Sequence, residues 1–137
     1  MPRKDLFHET VAAALEREGW RITDDPLRLT YGGRNLYVDL GAERLLAATK
    51  GTRTIAVEVK SFVGSSDLTD LEMAIGQYNL YRDILAEQQP ERQLYLAVPN
   101  YAYETTFADQ LGQMVIKQQD IRLIVFETQE APLKWMN

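Results

Sequence analysis

An α/β fold, with a mixed β-sheet flanked by helices in the order α-β-β-β-α-β-α-β, is what these 137 residues predict. Helical apolar spacing opens the chain and returns after Ser66, while the stretch between them carries short alternating runs punctuated by glycine. The run Ile121 to Phe126 is nearly continuous in apolar character, as in a strand covered on both faces. Strands alternating with helices in the second half imply right-handed crossovers, placed after an antiparallel block.

Each element has a local reason. Asp5 is placed to cap a first helix reaching about Glu18, with Phe7, Val11, Ala14 and Leu15 as its apolar stripe and Gly19 as its stop. Trp20 to Thr23 leads into a turn at Asp24-Asp25-Pro26. Leu27 to Tyr31 then reads as a strand, and Gly32-Gly33 turns it into a second one, Asn35 to Leu40. Gly41 is expected to interrupt, with a further strand from Arg44 to Thr49 and a turn at Lys50-Gly51-Thr52. Ser66 or Asp67 caps a long helix to about Gln88, which buries Leu71, Ala74, Ile75, Tyr78 and Leu85. After Pro90 come a strand from Gln93 to Val98, a helix from about Tyr103 to Gln118, the apolar strand to Phe126, and an edge strand within Pro132 to Met136. The whole, residues 1–137, is expected to be a single domain. Tyr95, Tyr101, Tyr103 and Phe107 are read as packing residues.

Composition removes several chemistries. There is no Cys, which excludes disulfides, zinc–thiolate sites and thiol nucleophiles. Any metal must be held by oxygen atoms or by the single His8, which points to Mg²⁺ or Mn²⁺ rather than Zn²⁺. The N-terminus is followed by an amphipathic segment and not by an apolar run, and no stretch approaches the length of a membrane span. A cytoplasmic location and no membrane partner are therefore expected. The net charge of −5 runs against autonomous nucleic-acid binding. A metal among clustered carboxylates, or a basic surface on a partner, would offset it.

The richest stretch is Ile55-Ala56-Val57-Glu58-Val59-Lys60-Ser61. Strict alternation sends Ile55, Val57 and Val59 one way and Ala56, Glu58 and Lys60 the other. A carboxylate and an ammonium thus share a sheet face, roughly 7 Å apart along the strand. With a further acid nearby, such a pair can hold a divalent metal against a phosphate and place a lysine beside the attacking water. Asp39, which alternates with Val38 and Leu40 and faces the side of Tyr37, is one candidate for that acid.

A helix, then strands bearing Asp39 and Glu58-Val59-Lys60, then a long helix, resembles the PD-(D/E)XK nuclease superfamily, whose fold is restriction-endonuclease-like. Gln77 and Tyr81, on one face of the long helix, are similar to the Gln-x-x-x-Tyr element of its exonuclease branches. A narrower likeness is to the XisH family. It is carried by Leu36 to Glu43, Ile55 to Phe62, Ala74-Ile75-Gly76-Gln77-Tyr78, the opening Leu6-Phe7-His8-Glu9, and Leu94 to Pro99. This resemblance implies a factor controlling excision of a DNA element, the fdxN element, with a companion protein, XisI, and a site-specific recombinase.

It also implies a site. Asp39 and Glu58 would hold Mg²⁺ or Mn²⁺, Lys60 would hold the attacking water, and Gln77 and Tyr81 would orient water or phosphate. The interval from Asp39 to Glu58 is longer than in superfamily relatives and Glu43 lies nearer the usual spacing, so both acids stand as metal ligands, with Asp39 preferred. Where nuclease relatives place a glutamate on the first helix, counting back from Gly19 reaches His8, with Glu9 beside it. His8 shares a face with Val11 and Leu15 and is taken as the residue lining the site. The implied activity is metal-dependent hydrolysis of DNA phosphodiesters. The alternative is a nuclease-fold regulatory subunit that docks on XisI or the recombinase and does no chemistry. A homodimer is compatible with either.

Overall fold

The computed structural model describes residues 4–46 and 51–136. Helix α1 (His8–Arg17) is followed by β1 (Arg21–Asp24), the hairpin of β2 (Leu27–Tyr31) and β3 (Arg34–Val38), then β4 (Leu40–Leu46) and β5 (Gly51–Val59). The long α2 (Asp67–Gln88) leads to β6 (Gln93–Pro99), the short α3 (Asn100–Glu104), α4 (Gln110–Gln119), β7 (Leu123–Phe126) and β8 (Lys134–Met136). This is the α/β class expected, a mixed sheet flanked by helices.

Among the described residues one sheet runs β1-β4-β5-β6-β7-β8, and β2 and β3 pair only with each other. The sheet changes direction at β5. It lies antiparallel to β4, with Leu40 opposite Val57, and parallel to β6, with Val57 opposite Tyr95. Parallel pairs cannot be joined by a tight turn. Here α2 carries the chain from β5 to β6, and α3 with α4 carries it to the parallel β7. Strand β8 returns antiparallel along the edge.

Two apolar layers sandwich the sheet. Ile55, Val57 and Val59 pack with Val11 and Leu15 of α1, together with Trp20, Ile124 and Phe126. Ala56 joins the opposite layer with Ala74, Tyr78 and Leu85 of α2 and Leu29 and Val38 of the hairpin. Each fully buried leucine, isoleucine or valine contributes roughly 1.5–3 kcal/mol, so alternation along β5 fixes which helix lies on which side. Polar ties then set position. The Tyr78 hydroxyl donates to the Leu94 carbonyl (3.1 Å) and accepts from the Arg122 amide (3.1 Å), locking α2 over β6 and β7. Glu18, just past α1, accepts from the Leu133 amide (2.8 Å) and the Trp135 indole (3.0 Å). No helix among the described residues is long and apolar enough to cross a membrane.

Four expectations change in detail. Residues 20–23 were read as a lead-in, yet Arg21–Asp24 forms the sheet edge against β4. The strand expected to run through Asp39 stops at Val38, and Asp39 sits at a bend where the chain leaves the hairpin for the main sheet. Gly41 does not interrupt but lies inside β4, where the Asp24 and Arg92 side chains occupy the space a Cβ would need. The end of the strand expected to reach Thr49, and Lys50 of the following turn, lie outside the described residues.

The fourth change is in the last helical stretch. The helix expected from Tyr103 to Gln118 is broken between Glu104 and Gln110. Phe107 is fully buried there, and Asp109 restarts the helix by accepting from the Gly112 amide (2.7 Å). Gly112 packs against that break, since a Cβ at this position would lie 2.2 Å from the Thr106 carbonyl oxygen. Gly76, on α2, meets nothing within 4 Å. Gly112→Ala is therefore expected to lower stability by roughly 2 kcal/mol or more. Gly76→Ala should raise it by about 1 kcal/mol through helix propensity. Urea unfolding of the two variants checks both signs.

Candidate active site

The β4–β5 ladder ends at the Leu40–Val57 pair. Beyond it Asp39 and Glu58 face one another, and their carboxylates take the place of backbone carbonyls. The Asp39 amide donates to Glu58 Oε1 (3.2 Å), and the Val59 amide donates to Asp39 Oδ2 (2.7 Å). Each acid is thus held by the strand that carries the other. Lys60 Nζ lies 3.8 Å from Glu58 Oε2. Its own amide donates to the Ala97 carbonyl (2.9 Å), which keeps this stretch of chain beside β6 after β5 has formally ended.

These groups open onto a cavity of about 290 Å³ lined by Asp5, Tyr37, Asp39, Glu58, Lys60, Gln77 and Tyr81. Gln77 and Tyr81 come from α2, whose placement follows from the Tyr78 tie. Glu58 is 4% exposed, and the Gln77 Oε1 atom is buried with no hydrogen-bond partner among the described residues. A buried acceptor left unpaired beside two carboxylates needs a donor or a cation. Asp39, Glu58 and Gln77 all offer hard oxygen atoms, which fits Mg²⁺ or Mn²⁺.

Electrostatics gives the pair a shared proton. Burial, and then the neighbouring Asp39 carboxylate, push Glu58 up to about 9, against the pull of the Lys60 ammonium. Burial also raises Asp39, opposed by the Val59 amide and by its hydrogen bond with Glu58. Tyr81 is pushed up to about 12 by burial and by the negative charge of both acids, so its hydroxyl keeps its proton.

The remaining candidates lie apart. Glu43 is opposite Thr54, four residues before Glu58 on β5, or about 13 Å along the strand. Its carboxylate pairs with Arg21. The sheet register therefore puts Asp39, and not Glu43, beside Glu58. His8 is buried on α1, with Nε2 2.7 Å from Asp25 Oδ1 and Nδ1 without a partner among the described residues. It does not line the cavity. Glu9 is exposed and bonded to Lys4 (3.1 Å).

Two residues of the wall were not singled out from the sequence. Asp5 was read as a helix cap, and its Oδ1 does accept from the Phe7 amide (2.9 Å). Its Oδ2 also accepts from the Ser61 amide (3.1 Å), which brings it to the cavity. Tyr37 lies two residues before Asp39 on an alternating strand, so the same period that selected Asp39 marked it too.

A family model for XisH protein matches residues 1–133. The chain belongs to the XisH family. An XisH family protein from Nostoc punctiforme PCC 73102 is 39% identical and superposes with a TM-score of 0.88, over 97% of this chain and 100% of that one. An fdxN element excision controlling factor protein from Anabaena variabilis is 38% identical, with a TM-score of 0.87 over 98% and 100%.

In this XisH family chain the shared proton has a measurable consequence. Glu58 holds its proton well above the ordinary value of 4.5, so between there and about 9 the folded state binds more protons than the unfolded state. Stability must fall as pH rises through that window. Glu58→Gln keeps the shape and the acceptor but removes the ionisation. Its melting temperature relative to wild type should therefore rise between about pH 5 and about pH 8. A difference that stays flat with pH, read by scanning calorimetry, would contradict the shared proton.

Proposed function

We propose that this chain is a divalent-metal-dependent DNA phosphodiesterase of the PD-(D/E)XK kind. On this reading it controls excision of a DNA element, as the name of its Anabaena variabilis relative describes that protein. One observation carries the reading. Two carboxylates and an ammonium meet in a single cavity, Asp39 from the bend before β4 and Glu58 from β5, each accepting a backbone amide from the other's segment, with Lys60 3.8 Å from Glu58.

Asp39, Glu58 and Gln77 Oε1 are the atoms that would hold Mg²⁺ or Mn²⁺. Bound there, the cation would supply Lewis acidity and a water nucleophile at neutral pH. The chain's own groups divide the rest of the work. Glu58 would hold the cation as the carboxylate, Lys60 would balance charge building on the phosphate oxygens, and the neutral Tyr81 hydroxyl would be a donor to phosphate or water. Asp39 stays fixed by the Val59 amide. A net charge of −5 leaves phosphate recognition to this cation and to basic surface on partners, an XisI-like companion and a site-specific recombinase.

A second reading, a regulatory subunit without chemistry, draws on His8. This residue stands where nuclease relatives place an acid, and here it is bonded to Asp25, off the cavity. Lys60→Ala separates the two readings, because a purely regulatory chain would still support excision in cells after losing that ammonium.

Two outcomes are expected. With Mn²⁺, the protein cleaves members of a panel of linear, nicked and branched DNA, and Asp39→Ala, Glu58→Ala and Lys60→Ala each lower turnover about a hundredfold or more. Undiminished cleavage by any of them would remove its role. Calorimetric titration with Mn²⁺ in two buffers of different ionisation enthalpy should show release of about one proton per ion near neutral pH. Binding without proton release would mean that Glu58 is already ionised.

A further inference from the structure

Beside the carboxylate cavity lies a second lobe of about 180 Å³ that shares Asp5 and Lys60 with it. Val63, Gly64, Asp70 and Met73 complete its wall. The backbone that forms it is unusual. Phe62, immediately past Ser61, has φ +55°, a left-handed conformation that bulky side chains rarely adopt. It is held there from three sides. The Ser61 amide donates to Asp5, the Ser61 carbonyl accepts from the Tyr101 hydroxyl, and the Phe62 ring packs edge-on against Phe107 at 5.4 Å. Strain fixed in this way marks segments whose shape is used.

What the segment presents is apolar and open. Val63 is 60% exposed and Met73 is 54% exposed. Between them Gly64 lies under the Asp70 carboxylate, which accepts from the Gly64 amide at 3.0 Å. A Cβ on Gly64 would come within 2.8 Å of Asp70 Oδ1. The lobe therefore combines exposed apolar side chains with a carboxylate acceptor, Asp70, next to the Lys60 ammonium it shares with the first cavity.

We propose that this lobe is a nucleobase subsite. With a phosphodiester at Glu58 and Lys60, the unpaired base of the adjoining nucleotide enters the lobe and packs its face against the Val63 and Met73 side chains. An N–H on its edge donates to Asp70. A lobe of this size takes one base and not a base pair, so the substrate is single-stranded or splayed at that point. Apolar contact with these side chains tolerates any base, whereas the Asp70 acceptor favours a base bearing an amino group, such as cytosine. This inference rests on the phosphodiesterase reading.

NMR titration of the labelled protein with Ca²⁺ tests it without requiring turnover. The probes are deoxycytidine 5′- and 3′-monophosphate and, as the ligand lacking a base, 2-deoxyribose 5-phosphate. At least one of the nucleotides should bind about tenfold more tightly than the sugar phosphate, the advantage that burial of part of the base against Val63 and Met73 supplies. Met73→Ala should remove that advantage while leaving sugar phosphate binding unchanged. Alanine is a better helix former at this exposed position, so folding is not at risk. Equal binding of nucleotide and sugar phosphate by wild type overturns the subsite and leaves the phosphodiesterase reading standing. A nucleotide advantage that survives Met73→Ala places the base elsewhere and also overturns it. Binding of none of the three overturns the subsite and the reading beneath it.

Discussion

A buried carboxylate, Glu58, set against a half-buried one, Asp39, where a ladder runs out is the constraint around which this molecule is arranged. Burying a carboxylate is costly unless its lone pairs are used and its charge is offset. Asp39 and Glu58 meet both demands by exchange, each accepting an amide from the other's strand, with a shared proton and the Lys60 ammonium limiting the charge. The arrangement works only if β4 and β5 stay in register up to Leu40 and Val57 and then part. Sheet register and site geometry are one condition here. A slip of one residue would turn Glu58 into the layer of Val57 and Val59.

The two helical layers protect that condition unequally. Helix α1 covers the stretch of β5 where Ile55, Val57 and Val59 meet Val11 and Leu15. Helix α2 covers the other face with a mixed surface, using Ala74, Tyr78 and Leu85 for packing and leaving Gln77 at the cavity. A helix held by packing alone can rotate or slide. The pair of hydrogen bonds at Tyr78, to Leu94 and Arg122, fixes α2 against the central parallel strands. That tie sets where Gln77 and Tyr81 point, one residue before and three after it.

Much of this was legible in the sequence because period and chemistry agreed. Alternation through Ile55 to Lys60 gave the correct faces, and the long helix with its Ser66 cap gave the second wall; the Ser66 hydroxyl does accept from the Thr69 amide (3.2 Å). The near-continuous run to Phe126 is a strand buried throughout. What stayed hidden depended on distant pairing. Asp39 looked too far from Glu58 along the chain, because an antiparallel return through β4 and β5 shortens that distance in space and leaves no local mark. Gly41 looked like a breaker because its neighbours, Asp24 and Arg92, come from remote segments. The helix break after Glu104 is imposed by burial of Phe107, a demand of the core and not of propensity. Asp5 concealed its second hydrogen bond behind a valid first one.

The bonds from Glu18 to Leu133 and Trp135 join positions 115 and 117 residues apart. Contacts of that span are entropically expensive to close and tend to form late. Trp135 also stacks on Trp20 at 5.7 Å and meets Tyr95 edge-on at 5.1 Å, so the rings beside α1 gain this partner only when the last strand arrives. Helix α1 is made well before β8, the strand that completes its enclosure. While the chain is being synthesised, the apolar stripe of α1 must wait for a neighbour encoded more than a hundred residues later, and that interval is when the nascent chain is most exposed to wrong partners.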